Sequence, residues 1–326
     1  MSTQSKPEVV CLGIMVADVM AKIVEKVPEP GKLDIFDQME LHPGGCAINT
    51  SIGLSKLGIK AGVIGKVGKD IFGDFLIKIL KKYDVDTSGI TYSKQRRTSF
   101  SFAMINREGE RSFLHYTGAN EDLHLEDINF ELIKDSRVLH IAGFNLMPGF
   151  DGEPVANVLK QAKEYGITTS LDTAWNPRVK NWKEMIKPSL SYLDIILPSI
   201  EEARIFSEKE KIKDVAQFFL NRGVKIVGLK MGKEGCYIKT EKGEFSIPSY
   251  PVKVIDTSGA GDAFAAGFLA GIIKGWNLQK IGYFANAVGA LCVQAVGCTA
   301  GVKNMEETLI FMDKSPLPSS RLSSSP

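Results

Sequence analysis

Short, nearly continuous apolar runs alternate with longer amphipathic ones along most of the chain, and no other feature limits the fold so much. The short runs cover residues 9–14, 61–65, 138–142, 168–172, 194–197 and 224–229. They are apolar almost throughout, as strands covered on both faces must be. Residues 47–57, 72–83, 155–165 and 215–221 read as helices between them, and 260–274 and 278–293 as two more after the last strands. In 72–83, Phe72, Phe75, Leu76, Ile79 and Leu80 fall at i, i+3, i+4, i+7 and i+8, one apolar stripe. This alternation predicts βαβ units around a mainly parallel sheet.

Two segments break the rhythm. Residues 32–42 and 98–118 read as extended, partly polar strands, the second with a turn at Glu108-Gly109. Such strands have no place in a doubly wound sheet, so a small separate sheet is expected. With 326 residues, 44% of them hydrophobic, the chain can bury one large core. We expect a single domain over 1–314, and a disordered Ser/Pro-rich tail over 315–326.

Lys and Arg number 40 against 38 Asp and Glu, a formal net charge of +2. That balance does not suggest a nucleic-acid partner, and Lys78, Lys81 and Lys82 read as a solvated helix face. The apolar stretches are interrupted well short of a membrane span. No signal-peptide pattern precedes the first strand. Cys11, Cys46, Cys236, Cys292 and Cys298 are widely spaced without a CxxC, which indicates neither disulfides nor zinc but free thiols in a reduced cytoplasm.

The strongest chemical signal is the run Asp256-Thr257-Ser258-Gly259-Ala260-Gly261-Asp262, which leads into an apolar helix. The first N–H groups of a helix lack intrahelical partners, and the helix dipole adds positive potential there. Small Gly259, Ala260 and Gly261 let a phosphate approach this backbone, an anion hole suited to a transferring phosphoryl group. A carboxylate at its mouth, Asp262, can accept the proton of an attacking hydroxyl. Taken alone, the run reads first as a capped helix start. Phe264 in place of a third glycine excludes a dinucleotide fingerprint. Gly65 and Gly68 are too close for a P-loop, and Asp70 stands where Ser or Thr should bind the metal. His42, His115, His124 and His140 show no metal spacing and read as structural or surface residues.

A second run, Gly44-Gly45-Cys46-Ala47-Ile48-Asn49, also opens a helix. Its glycines permit close backbone approach to a hydroxyl-rich ligand, and Asn49 can both donate and accept. Together, in residue type, spacing and position, the two runs resemble the paired signatures of the ribokinase-like (PfkB) family over roughly residues 8–303. The resemblance implies a three-layer α/β/α sandwich with a small β lid, built from about 32–43 and 98–118. It implies ATP and Mg²⁺ as cofactors, a sugar as acceptor, and Asp262 as the catalytic base. Asp18, Gly44, Gly45, Asn49 and Asn145 would contact the acceptor. Ser199, Lys230, Gly232, Gly235 and Asn286 would lie along the nucleotide. Glu202 would organise magnesium through water, and Asp256 and Ser258 would flank a monovalent-cation site for K⁺.

Departures from the family pattern sit mainly on the substrate side. Ser199 replaces the Asn of an Asn-x-x-Glu element, and Cys46 stands where ribokinases often carry Lys. The segment 172–178 is spaced unlike the usual Asp-x-Asn-x-Arg. The resemblance therefore implies phosphorylation of a sugar or sugar acid. A nucleoside acceptor, sandwiched by Phe100, Phe102 and Phe113, is a second reading, and a non-catalytic sugar sensor a third. Exposed strand edges of the lid would suit a homodimer.

Overall fold

The computed structural model describes residues 6–108 and 111–315. Its strands are β1 (Val9–Gly13), β2 (Val16–Lys22), β3 (Gln38–Gly44), β4 (Ala61–Gly68), β5 (Asp86–Ser93), β6 (Phe100–Ile105), β7 (Arg111–Tyr116), β8 (Val138–Phe144), β9 (Thr168–Thr173), β10 (Ile195–Ile196), β11 (Ile226–Lys230), β12 (Cys236–Thr240) and β13 (Gly243–Ile247). Its α-helices are α1 (Cys46–Lys56), α2 (Ile71–Lys82), α3 (Phe130–Lys134), α4 (Glu153–Glu164), α5 (Trp182–Leu190), α6 (Ile200–Ser207), α7 (Ile212–Leu220), α8 (Ala260–Ile273), α9 (Leu278–Cys292) and α10 (Met305–Lys314).

The large sheet runs β13-β12-β11-β10-β9-β8-β1-β4-β5. Neighbours from β11 to β5 are parallel, and only the β11–β12–β13 end is antiparallel. The two-residue period of a strand sends Val9 and Cys11 to one face and Val10 and Leu12 to the other. The first pair packs with Ile48 and Ile52 of α1 and Leu269 of α8. The second packs in the core that holds Val158 of α4, Phe206 of α6 and Phe219 of α7. Helices therefore cover both faces, and the three-layer expectation is met. Among the described residues no helix is long and apolar enough to cross a membrane.

The small sheet has the order β3-β2-β6-β7. Strands β3, β6 and β7 come from the two interrupting segments, although β3 begins only at Gln38 and 32–37 carry no strand. The central β2 was not anticipated, because it follows β1 after two residues with no turn signal between them. Strand β5 and the β12–β13 hairpin are likewise absent from the apolar runs: the edge strands β5 and β13 are half-exposed and polar, and β12 is only five residues long. The expected turn at Glu108-Gly109 and the tail beyond Ser315 reach residues outside the described ones.

Two side chains root the small sheet in the large one. Asn120 Oδ1 accepts the Met15 N–H (3.0 Å) and its Nδ2 donates to the Met15 carbonyl (3.1 Å), between β1 and β2. Asp70 caps α2 by accepting from Phe72 and Gly73, and also takes the Thr98 N–H (2.8 Å) and hydroxyl (2.7 Å) just before β6. Burial pushes the Asp70 carboxyl up, but the Thr98, Gly73 and Phe72 donors outweigh it and hold the group below its usual range. Asp70→Ala removes the cap and strands the Thr98 N–H, so unfolding in denaturant should show a loss of about 2 kcal/mol. The Asp70 contribution is present above its unfolded pKa and is lost as pH falls through the lowered folded value. An unchanged midpoint would show that α2 and β6 do not depend on this carboxylate.

Candidate active site

The chain leaves β1 toward β4 on one side and returns at β8 on the other, so the winding direction reverses between β1 and β8. Such a reversal opens a crevice at the carboxyl ends of the strands. The small sheet is attached at this edge, because β2 follows β1 and β3 ends just before α1.

Helix α8 is preceded by its N-cap Gly259, whose φ of 74° lies in the left-handed region. A Cβ there would overlap the backbone of Cys298. The Ala260 N–H donates to the Thr257 carbonyl (3.2 Å), and the first intrahelical bond runs from Ala263 N–H to the Gly259 carbonyl (2.8 Å). The amides of Gly261 and Asp262 precede that bond, and both residues line an acidic cavity of about 400 Å³. Asp262 accepts from Asn49 Nδ2 at 2.8 Å and from the Cys46 thiol. The Gly45–Asn49 and Gly259–Asp262 runs, remote in sequence, thus meet at one carboxylate. Burial pushes the Asp262 carboxyl up, against the Asn49 hydrogen bond, the Lys230 charge and the Cys46 thiol.

Asp18 lies on β2 rather than in a turn, opposite His42 of β3 and Ser101 of β6. Burial lifts its carboxyl to about 6, while the Ser101 hydroxyl and His42 pull it down. A Cβ on Gly44 would overlap the Asp18 carboxylate, so a side chain there would displace that carboxylate. His115 Nδ1 lies 2.9 Å from Ser101 Oγ, on the same face of the sheet. Phe100 and Phe102 alternate with Ser101 and therefore point to the opposite face. There Phe100 packs on Phe72 and Phe102 on Phe36, with centroids 5.2 and 6.1 Å apart. Phe113, paired with Ala103, is the one of the three on the Asp18 face.

Asn145 follows β8 at a φ of 84°, uncommon for a residue with a side chain. Asp151 holds this turn by accepting the N–H groups of Asn145 (3.0 Å) and Met147 (2.8 Å), and Asn176 Nδ2 donates to the Asn145 carbonyl (2.7 Å). Asn145 Oδ1 is buried with no hydrogen-bond partner among the described residues.

A larger, mostly apolar cavity of about 510 Å³ lies on the other side of the α8 N-terminus, with Tyr250, Val252, Val254 and Phe264 in its wall. Gly232 and Gly235 border it. Asn286 also lines it, but its Nδ2 donates to the carbonyls of Ile247 (3.1 Å) and Pro248 (3.0 Å), so it anchors the end of β13 on α9.

The acidic cavity carries Asp172, Glu201, Glu202 and Asp262. Ser199 caps α6 in a reciprocal box: its hydroxyl accepts the Glu202 N–H, and Glu202 Oε2 accepts the Ser199 N–H (2.9 Å). Thr173 Oγ1 donates to the same Oε2 at 2.7 Å. Lys230 Nζ lies 2.6 Å from both oxygens of Asp172. Burial pushes Asp172 up and Lys230 pulls it back, and two such short contacts fix the pair as carboxylate and ammonium. Asp256 accepts the N–H groups of Ser258 (2.7 Å) and Gly297 (2.8 Å), tying the turn before α8 to the loop after α9. Among the described residues no cluster of His, Cys, Asp and Glu is arranged to hold a metal by itself.

The sequence motifs do not point to Asp172 and Thr173 as site residues, nor to the contact of Cys46 with Asp262. The available signal was Asp172 itself, an acid ending an otherwise apolar strand at the edge where ligands collect.

The pfkB family carbohydrate kinase profile matches residues 6–305. A 5-dehydro-2-deoxygluconokinase of Clostridium beijerinckii is 33% identical, over 82% of this chain and 83% of that protein. An Escherichia coli chain assigned as a ribokinase II and solved with ATP and Mg²⁺ superposes with a TM-score of 0.82 at 25% identity, over 94% of this chain and 99% of that one. The nucleoside kinase of Methanocaldococcus jannaschii superposes with a TM-score of 0.79 at 26% identity, over 95% and 99%. A profile match over nearly the whole chain, together with a relative one-third identical over most of its length, decides the assignment: this chain belongs to the pfkB family of carbohydrate kinases.

Proposed function

We propose that the protein transfers the γ-phosphoryl group of Mg·ATP to a hydroxyl of a sugar or sugar acid, with Asp262 as the base. The observation that carries this reading is the meeting of Asn49 and Asp262 at the α8 N-terminus, between an apolar cavity and an acidic one. The apolar cavity takes the nucleotide, bordered by Gly232, Gly235 and the Asn286 anchor. Its phosphates run past Lys230 to the Gly261 and Asp262 amides. Asp18, Gly44, Gly45 and Asn145 receive the acceptor beneath the small sheet, which serves as the lid, and Asn49 holds the Asp262 carboxylate in place.

The chemistry follows from that placement. The acceptor hydroxyl gives its proton to Asp262 as its oxygen bonds to the γ-phosphorus. The bond from that phosphorus to the β-phosphate oxygen breaks, and ADP leaves. The α8 N-terminus stabilises charge on the transferring group. Carboxylate and hydroxyl oxygens around Glu202 and Ser199 suit a hard cation held mainly by phosphates. Mg²⁺ supplies charge neutralisation there when bound, and Glu202 orients its water shell. The oxygen donors beside Asp256 and Ser258 suit K⁺. A lid over the acceptor excludes water and so limits ATP hydrolysis. Exposed Met39 on β3 and Leu114 on β7, at the two edges of the lid sheet, fit a homodimer through the lid. Five unbridged cysteines fit the reducing cytoplasm.

Sugars and sugar acids are favoured over nucleosides because Phe100 and Phe102 face away from Asp18, which leaves Phe113 without a second ring to sandwich a base. The Arg178 charge acts on His115, which contacts Ser101, and adds a cation suited to a carboxylate-bearing acceptor; the C. beijerinckii relative is named for such a keto sugar acid. ADP release with Mg·ATP across pentoses, hexoses, keto sugar acids and nucleosides tests the reading. Turnover on a sugar or sugar acid is expected, and turnover confined to nucleosides would replace it with the second reading. With that acceptor, the acid limb of kcat/KM should lie above the usual carboxylate range, because a raised carboxylate loses its base function as pH drops through its pKa. An acid limb near pH 4 would contradict a buried base.

A further inference from the structure

Among the described residues, Lys230 occupies a position that no other charged side chain shares. Lys230, Gly232, Thr257, Ala260 and Gly261 line both cavities, and Lys230 is the only charged residue among them. Among the described residues it is also the only basic one lining the acidic cavity, facing Asp172, Glu201, Glu202 and Asp262. Its backbone is fixed by the Pro198 carbonyl (2.9 Å) and by the bridge to Ser199. Its side chain is only 15% exposed, and a Cβ added to Gly261 would stand 3.2 Å from its Nζ. The ammonium therefore lies beside the anion-binding amides, where a phosphate chain must pass from one cavity to the other.

We propose that Lys230 is a catalytic residue that changes partners during turnover. At rest its ammonium is paired with Asp172. When the nucleotide arrives it turns to the β–γ bridging oxygen and the transferring phosphoryl group. As the acceptor oxygen bonds to the γ-phosphorus and its proton passes to Asp262, the electron pair of the breaking bond settles on the ADP oxygen. Lys230 stabilises that charge as it develops and, with the phosphoryl group transferred, returns to Asp172 before ADP leaves. A resting partner also prevents a buried ammonium from standing uncompensated between turnovers, which would be costly.

This assignment rests on the ATP-kinase reading, and the test separates the two. The full chain and Lys230→Met are compared for ATP and ADP affinity by calorimetry, which needs no acceptor, and for kcat with an acceptor that the wild type turns over. The Lys230→Met/Asp172→Asn double variant removes both charges together, so no buried carboxylate is left unpaired and the fold is protected. Both variants should lose about 10²–10³-fold in kcat. Both should lose about tenfold more affinity for ATP than for ADP, since the γ-phosphoryl contact is made by ATP alone. Lys230→Arg, which keeps the charge, should recover part of kcat. A double variant with near-normal kcat, or equal losses for the two nucleotides, would reduce Lys230 to a structural partner of Asp172. Wild-type protein that binds neither nucleotide would instead overturn the kinase reading.

Discussion

Asp262→Asn should lose about 10³-fold in kcat while its affinity for ATP stays within a few-fold of wild type. The substitution keeps the size of the side chain and an oxygen for Asn49, so the helix start is undisturbed, but an amide cannot take the proton of the attacking hydroxyl. A second effect distinguishes this loss from damage. Burial raises the Asp262 carboxyl, so its folded pKa lies above the unfolded one. The stability it lends is present below the unfolded pKa and disappears as pH rises through the folded value. At high pH burying this carboxyl burdens the fold, and Asn does not. The inactive variant should therefore melt higher than wild type at pH 8, with the gap closing toward pH 4. Turnover above a tenth of wild type would remove Asp262 from its role. A lower Tm at pH 8 would mean that the carboxylate holds the site together.

Gly259→Ala should damage both turnover and stability. At a φ of 74° a side chain costs about 1–2 kcal/mol by itself. Here the added Cβ also meets the backbone of Cys298, which cannot swing aside as a flexible side-chain tip could. The turn must shift, and the Gly261 and Asp262 amides shift with it. A displaced anion-hole donor costs about 10²–10³ in kcat. Gly275, just after α8, supplies the control: its φ is 68° and nothing lies within 4 Å of the added Cβ. Gly275→Ala should lower Tm by a similar strain yet keep its turnover. If both variants keep their turnover, the anion hole does not depend on this turn. If both lose it equally, the loss reflects general destabilisation.

Local chemistry was legible in the sequence wherever the evidence was local. The alternation of apolar runs and amphipathic helices carried the parallel sheet, because strands buried on both faces must be apolar throughout and helices packed on them must be striped. The glycine-rich starts of α1 and α8 carried the two halves of the site, because close backbone approach requires small residues in consecutive positions. The polar half-exposed strands were not legible. Strand β2, VADVMAK, has a mixed pattern that only pairing with β3 and β6 resolves into a strand, and β5 lies at an edge where one side meets solvent.

What the sequence determined by itself was the parallel core of the sheet, the two glycine-rich helix starts, and Asp262 as a carboxylate at the first turn of an apolar helix. Only the tertiary structure decided which groups face one another. It brought Asn49 onto Asp262, Lys230 onto Asp172 and Thr173 onto Glu202, and it turned Asn286 toward backbone carbonyls. It also sent Phe100 and Phe102 away from Asp18 through the register of β2 with β6. The reason is physical: turns and periodicity depend on neighbours a few residues apart, whereas register and buried pairing depend on segments that meet only when the core closes around them.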